Sequence, residues 1–380
     1  MSLPQLPPLS LYIHLPWCER KCPYCDFNSH EADKLPEAAY IKSLIQDLRG
    51  DLALVQGREI ETLFIGGGTP SLFSAASIVQ LMNGIASCVA LSPHLEATME
   101  ANPGSAEAEK FLGFRDAGIN RLSLGIQSFH DEQLQALGRV HNSDEAHAAI
   151  EMVRAAKFES FNIDLMHGLP DQSEGGANAD LRAALAYQPP HLSWYQLTVE
   201  PNTLFYKTPP VLPVEDTLAD IQNSGEALLA SNGYCQYEVS AYGQGDNRCR
   251  HNLNYWSFGD YLGIGAGAHG KISYPDGRVT RYSKRRQPTA YMSSDSNNYT
   301  STSRSLPHHE MVGEYMLNAL RLNMGFTSVQ FSARTGLPEE IIRDKIDSLV
   351  DRKLLVRRGD NIRPSKLGRQ FLDTVIAAFF

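Results

Sequence analysis

Long apolar runs are missing from this 380-residue chain. No stretch approaches the ~20 residues that a membrane-crossing helix needs. The N-terminus, MSLPQLPPLS, lacks the charged-then-apolar pattern of a secretory leader. An excess of positive charge is missing too. Lys and Arg number 34 against 43 Asp and Glu, a net charge of −9, which argues against a general nucleic-acid binder. No short-period repeat or low-complexity tract occurs. These absences point to a cytoplasmic chain, where thiols stay reduced, and leave peripheral contact with a membrane open. What is present is an apolar share of 42% on a chain longer than one typical domain, ample for a real core.

Cysteine is scarce, six in all, yet three fall within Cys18-Glu19-Arg20-Lys21-Cys22-Pro23-Tyr24-Cys25, just after the apolar segment Leu9 to Pro16. Three thiolates on one loop suit a [4Fe–4S] cluster, whose irons are held by cysteine sulfur. A closed cluster takes four ligands and the loop offers three, so one iron is left to bind something other than protein. Structural zinc is the alternative, but it prefers paired Cys-x2-Cys knuckles with a second pair elsewhere. Here Cys88, Cys235 and Cys249 are scattered. Cys88, in an apolar helical run, reads as an inert buried thiol. Cys249, two residues before His251, leaves a second metal site as a further alternative.

Short β-rich runs recur along the chain: Leu11–Leu15, Thr62–Ile65, Glu96–Met99, Arg121–Ile126, Phe161–Leu165 and Leu192–Leu197. Between them, Pro36–Leu54, Ala75–Ala90 and Ser143–Ala156 carry helical periodicity. Strands alternating with helices over crossovers this long predict a parallel sheet. Polar residues punctuate successive strand ends: Gly66-Gly67-Gly68-Thr69-Pro70, Glu100-Ala101-Asn102-Pro103, Gln127-Ser128, Asp164, and Tyr195-Gln196. In parallel α/β barrels the active site forms at those ends, so the set points to one shared site. Any single member also reads as a loop residue or helix cap. The glycine run would let backbone approach a ligand and expose its amides. Glu100 and Asp164, acceptors when ionised, would hold hydroxyls or an ammonium.

The cysteine spacing, with Tyr24 before the last cysteine, resembles the signature of the radical S-adenosylmethionine (radical SAM) superfamily. The runs YIHLPWCERKCPYCDFNSH, FIGGGTPS, MEANPG, RLSLGIQSF and FNIDLMHGLPDQ narrow the resemblance to its coproporphyrinogen III oxidase-like (HemN/HemW) family, over nearly the whole chain. The resemblance implies a partial (β/α)6 TIM-like barrel with a C-terminal, mainly helical accessory domain. It implies that Cys18, Cys22 and Cys25 ligate the cluster and that the open iron chelates SAM. In this superfamily an electron from the cluster can cleave SAM to a 5′-deoxyadenosyl radical. Tyr12, Tyr24, Gly67, Gly68, Thr69, Glu100, Gln127, Arg139 and Asp164 are implied to line the SAM pocket.

Two features resemble the heme-chaperone branch of that family more than its oxidase branch. Phe27 stands where the oxidase pattern has a further cysteine. His251-Asn252-Leu253-Asn254-Tyr255 matches an HNxxY motif associated with heme. A histidine nitrogen or a tyrosinate oxygen is a good axial ligand for heme iron, and Trp256, Phe258 and Tyr261 are expected to supply a flat apolar surface. The plainer reading of His251 is a hydrogen-bonded structural residue. The implied partners are heme and an acceptor hemoprotein such as a respiratory enzyme, with no nucleic acid; a homodimer is left open. The alternative activity is SAM-dependent oxidative decarboxylation of coproporphyrinogen III.

The expected division is a radical SAM core over 1–235, the HNxxY segment and a linker over 236–305, and an accessory domain over 306–380. The stretch 271–305, rich in Ser, Arg, Tyr and Asn, reads as a linker or mobile loop. Its Lys284-Arg285-Arg286 reads as a solvated face, with heme propionates or an acidic membrane surface as alternatives. The loop Gly263 to Gly270 lacks the strand–helix context of a dinucleotide fingerprint and is expected to fold back over the cofactor site. Helical segments His309–Leu322, Ser328–Thr335 and Pro338–Arg352, followed by a short hairpin, suggest a winged-helix-like fold suited to protein contacts.

Overall fold

The alternation of side chains along each strand builds the barrel. In the computed structural model, residues 3, 5–104, 109–294 and 298–380 are described; 1, 2 and 4 of the N-terminal pattern and 295–297 of the expected linker lie outside them. The six barrel strands are Leu9–Leu15, Ile60–Gly67, Leu91–Ala101, Arg121–Gln127, Ser160–His167 and His191–Gln196. They lie side by side in chain order and all pair in parallel. Each contributes alternate apolar residues to one core beneath the helices, such as Leu11 and Ile13, Leu63 and Ile65, Leu122 and Leu124, Ile163 and Leu165. The other half of each alternation is polar or small: Ser123, Gly125 and Gln127 on the fourth strand, Asn162 and Asp164 on the fifth. A period of two puts these on the opposite, concave face.

Helices Glu37–Gly50, Ala75–Ala86, Ser143–Ala156 and Glu174–Leu185 fill the crossovers. The third of these coincides with its expected span because Asn142 and Glu145 form a reciprocal capping box that fixes where it begins. The sheet does not close: its edges are Thr300–Ser305 and Tyr234–Gln236. The architecture is an open α/β barrel with a distinct, mostly helical C-terminal region. That region begins with helix His308–Ala319, and helices Ser328–Thr335 and Glu340–Asp351 precede a hairpin of Leu355–Arg358 with Asn361–Pro364. The hairpin and the short strand Phe326–Thr327 form one three-stranded sheet, the winged-helix-like order. Among the described residues no helix is long and apolar enough to cross a membrane.

The expected linker is instead part of the sheet. Asp260–Ile264 pairs in parallel with the first barrel strand, and His269–Ser273, Val279–Lys284 and Thr300–Ser305 continue antiparallel from it. Composition misled here because an edge extension exposes much of its surface; all six residues of Thr300–Ser305 are exposed. Nor is Lys284 a solvated charge. It is 1% exposed, with its ammonium 2.6 Å from Asp47 and 2.7 Å from Asp51. It ties the sheet extension to the first helix and is unavailable to a propionate or a membrane.

Removing one partner of a buried ion pair strands the others. Lys284→Ala should lower the unfolding free energy by about 3–5 kcal/mol in urea titrations, whereas the exposed Arg286→Ala should stay within about 0.5 kcal/mol of wild type.

Candidate cofactor cavity

The cysteine loop is closed by its own two-strand ladder. Trp17–Cys18 pairs in parallel with His30–Glu31, and the Cys25 amide donates to the Cys22 carbonyl at 3.1 Å. The far end is fastened to the sheet: the Asn28 amide group donates to the carbonyls of Ala266 and Arg286, both at 2.9 Å. The loop after Asp260–Ile264 thus buttresses Asn28 from the side rather than folding over the cavity as expected. Gly267, at φ +85°, makes room for this: a Cβ there would come within 2.4 Å of Asn28.

Cys18, Cys22 and Cys25 are free thiols, and all three line one cavity of about 230 Å³ at the carboxyl ends of the strands. Of the residues expected around SAM, Tyr24, Gly67, Gly68, Thr69, Glu100, Gln127, Arg139 and Asp164 line the same cavity. Tyr12 does not. The His14 Nε2–H donates to the Asn28 carbonyl at 2.9 Å, which leaves Nδ1 to accept from the Tyr12 hydroxyl at 2.9 Å. Tyr12 is therefore a support under the wall. Asn102 and Tyr195, both in the strand-end set, line the cavity as well, and so do Ser123 and Gly125, which were not among the expected site residues. Ser123 and Gly125 were findable, since they precede Gln127 at steps of two on one strand.

The glycine run works differently from its expected role. Its amides are already spent: Gly67 N–H donates to Glu100 Oε2 at 3.1 Å, Gly68 N–H to the Leu15 carbonyl at 2.8 Å, and Thr69 N–H to the Trp17 carbonyl at 2.7 Å. A Cβ on Gly68 would stand 2.4 Å from the Trp17 carbonyl, and Gly67 has φ +121°. The glycines let the cysteine loop lie against the second strand, so they position thiols rather than offer amides to a ligand.

Burial tunes the wall electrostatically. Glu100 is pushed up to about 8, chiefly by desolvation and further by Asp164. Asp164 is raised by burial too, against hydrogen bonds from Ser123 at 2.8 Å and Asn162 at 2.7 Å. Two carboxyls forced together in low dielectric favour a cationic guest. Opposite them, Arg139 donates to Asn102 at 2.7 Å and to the Gly125 carbonyl at 2.9 Å, with Cys22 Sγ at 3.8 Å. Its buried Nε has no partner. Gln127 adopts φ +68°, with its side-chain oxygen accepting from Tyr195 at 2.7 Å. A non-glycine residue in that region marks a site held under strain by its surroundings.

Among the described residues no group of three or more His, Cys, Asp or Glu side chains is arranged to hold a single metal ion. The donor set instead suits a polynuclear centre: three unpaired thiols around one cavity. Burial pushes the Cys18 thiol up to about 11, with Thr69 and Ser29 partly opposing, so iron binding must displace its proton. The remaining cysteines stand apart. Cys88 is in a turn after its helix and only half-buried, not in a buried helical run, with Ser87 Oγ at 3.8 Å. Cys249 is buried with its thiol directed to Glu96 at 3.7 Å.

The HNxxY helix, Arg250–Trp256, sits at the other end of the barrel. Glu96 accepts the backbone amides of Arg250 and His251 at 3.1 and 3.0 Å, and Asn254 donates to Ser10 at 2.7 Å. His251 Nδ1 lies 3.0 Å from Thr62 Oγ1, and its ring lies 5.1 Å from that of Phe64. Desolvation holds this imidazole down to about 3, hence neutral. Glu96 and Glu100 are four residues apart on one strand, so the two ends are separated by roughly 13 Å at ~3.3 Å per residue. The expected flat surface is not open either. Phe258 is 1% exposed in the C-terminal core, Tyr261 is buried against Tyr255 at 5.1 Å, and Trp256 carries the Arg321 guanidinium at 4.4 Å.

An open α/β barrel that gathers three loop cysteines over its carboxyl-end cavity defines a radical SAM core. Residues 12–178 match the family described as the radical SAM superfamily, and residues 306–371 match the HemN C-terminal domain. The chain is 48% identical over 376 residues to the Escherichia coli (strain K12) protein named heme chaperone HemW, covering 99% of each. To the Bacillus subtilis (strain 168) protein of that name it is 34% identical, covering 86% of this chain and 87% of the relative. The solved structure of E. coli coproporphyrinogen III oxidase (HemN) superposes with a TM-score of 0.83 at 22% identity, covering 98% of this chain and 90% of that one; it shares the fold. The chain belongs to the HemN/HemW family of the radical SAM superfamily.

Replacing Cys18, Cys22 and Cys25 together with Ala should remove iron and labile sulfide after anaerobic reconstitution, while Cys88→Ala should keep both; colorimetric assays of each decide. SAM affinity, measured by calorimetry on the reconstituted protein, should rise from pH 6.5 to 8.5 as Glu100 loses its proton near 8 and offers a full charge to the cation. Glu100→Gln should flatten that rise and weaken binding about tenfold.

Proposed function

We propose that the protein is a heme chaperone that binds heme and passes it to an acceptor hemoprotein, for example a respiratory enzyme, while carrying a [4Fe–4S] cluster and SAM in the cysteine cavity. The observation that carries this reading is end-to-end similarity to proteins named heme chaperone HemW, 48% over 99% of both chains in one case. Phe27, 59% exposed at the cavity wall, supports it by standing where the oxidase pattern has cysteine.

When bound, the cluster would supply a redox-active centre with one iron open to SAM. Cys18, Cys22 and Cys25 would hold it. The Glu100 and Asp164 carboxyls suit the cationic groups of SAM, and Arg139 lends a positive charge beside Cys22 and Tyr24. Axial ligation of heme by His251 or Tyr255 belongs to the same proposal. With Nδ1 engaged by Thr62, iron would be taken by Nε2, and the residue, 8% exposed, would have to be uncovered for a heme to reach it. A neutral imidazole is the form a metal takes.

The alternative, a SAM-dependent coproporphyrinogen III oxidase, is favoured by the intact set of three thiols and acidic wall. One experiment separates them. Anaerobic heme titration of reconstituted protein, followed at the Soret band, should show saturable one-to-one binding and subsequent transfer to an apo-hemoprotein. His251→Ala should alter the spectrum or weaken binding about tenfold if His251 is a ligand. Conversion of coproporphyrinogen III to protoporphyrinogen IX with SAM and reductant would overturn the chaperone reading.

A further inference from the structure

A second cavity, of about 660 Å³, opens between the last barrel strand and the C-terminal domain. Its volume falls within the roughly 300–1,000 Å³ of cofactor-sized sites. The walls come from three elements with separate folding roles. Trp194 and Tyr195 belong to the sixth strand, Leu218 to helix Glu215–Ser231, and Leu320 and Leu372 to the C-terminal domain. Trp194 and Leu320 are buried behind this wall, and the apolar surface open to the cleft is that of Val239, 40% exposed, with the half-buried Leu218 and Leu372.

Charge at this cleft has one prevailing sign. Arg321, Lys366 and Arg369 line it, against the single acid Glu226, which already accepts from Gln222 at 2.5 Å. Lys366 and Arg369 lie three apart on the helix Lys366–Gln370, both exposed, and neither makes an ion pair with any described residue. Arg321 by contrast lies over Trp256 and 3.9 Å from Glu238. Two free cations beside an apolar cleft match a ligand that is flat at one end and acidic at the other. Two wall residues also carry buried polar atoms without a partner, Trp194 Nε1 and His167 Nδ1.

Tyr195 connects the two cavities. It lines both, and its hydroxyl holds Gln127 on the cysteine side. A guest in the cleft would lie one side chain from the cofactor cavity.

We propose that this cleft binds a flat, conjugated ligand bearing carboxylates, with its ring against Leu218, Val239 and Leu372 and its carboxylates at Lys366 and Arg369. The inference rests on the chaperone reading, in which that ligand is the porphyrin of heme. It assigns the C-terminal domain a direct part in binding, at a cleft that neither His251 nor Tyr255 lines, so it replaces axial ligation by those two residues.

The test uses the full-length, cluster-reconstituted protein with two probes, ferric heme and iron-free protoporphyrin IX. The second carries the carboxylates but needs no axial ligand, so it is indifferent to His251. Lys366→Ala/Arg369→Ala should weaken both probes about tenfold, and Asn223→Trp, which adds bulk from the exposed helix wall, should weaken both as well. Arg343→Ala, an exposed cation elsewhere on the C-terminal domain, should leave both unchanged. Iron and sulfide content confirms that each variant is folded around its cluster. If wild type binds heme and the double variant and Asn223→Trp bind it equally well, the cleft is wrong and the heme reading stands. Equal weakening by Arg343→Ala would reduce the effect to general charge and overturn the site. If wild type binds neither probe, the heme reading falls and the inference with it.

Discussion

Two backbone hydrogen bonds hold the site together: Gly68 N–H to the Leu15 carbonyl and Thr69 N–H to the Trp17 carbonyl. They continue the pairing of the first two barrel strands past the end of the sheet and carry the cysteine loop down onto the glycine turn. The contact is possible only without a Cβ on Gly68. Everything chemical in the cavity follows from that clamp. Cys18 is pinned one residue beyond Trp17, Thr69 is brought to its thiol, and the Gly67 amide is turned onto Glu100. A motif that looks from its letters like an anion cradle is a hinge plate for the thiol loop.

The barrel interior is polar, and a chain of hydrogen bonds fixes the orientation of its central groups. Ser123 and Asn162 hold Asp164, Asn162 also meets His191, and His191 meets Tyr237. Burying two carboxyls at the top of this interior raises both above their ordinary range. The unliganded fold carries a desolvation cost there that a cationic guest relieves. At the opposite end the HNxxY helix closes the barrel floor through Glu96, Thr62 and Ser10. His251 and Asn254 of that motif have structural employment in this fold.

The C-terminal domain is joined to the barrel by core as well as by cleft. Phe258, from the turn before the sheet extension, and Val279, from the extension itself, pack in the same hydrophobic cluster as Tyr315 and Phe331. The sheet extension, anchored by Lys284 to Asp47 and Asp51, therefore transmits the position of the barrel to the winged-helix-like unit. This continuity makes the cleft a property of the whole chain.

What the sequence settled by itself was local and periodic. Six strands and their helices were legible because side chains alternate with a period of two or recur at 3.6 residues. The cysteine loop and most of the cavity wall were legible because their spacing or their place at a strand end is visible in one dimension. Pairing partners are not. Thr300–Ser305 and Val279–Lys284 became strands because partners 16 to 25 residues away offered them hydrogen bonds. Lys284 became a buried ion because Asp47 and Asp51, over 230 positions earlier, face it. Tyr12 was withdrawn from the cavity by His14, the glycine amides by Leu15, Trp17 and Glu100, and His251 from the surface by Thr62. Each of those outcomes is decided by which groups arrive opposite one another when the sheet curls, a matter of three-dimensional register that no stretch of the chain carries alone.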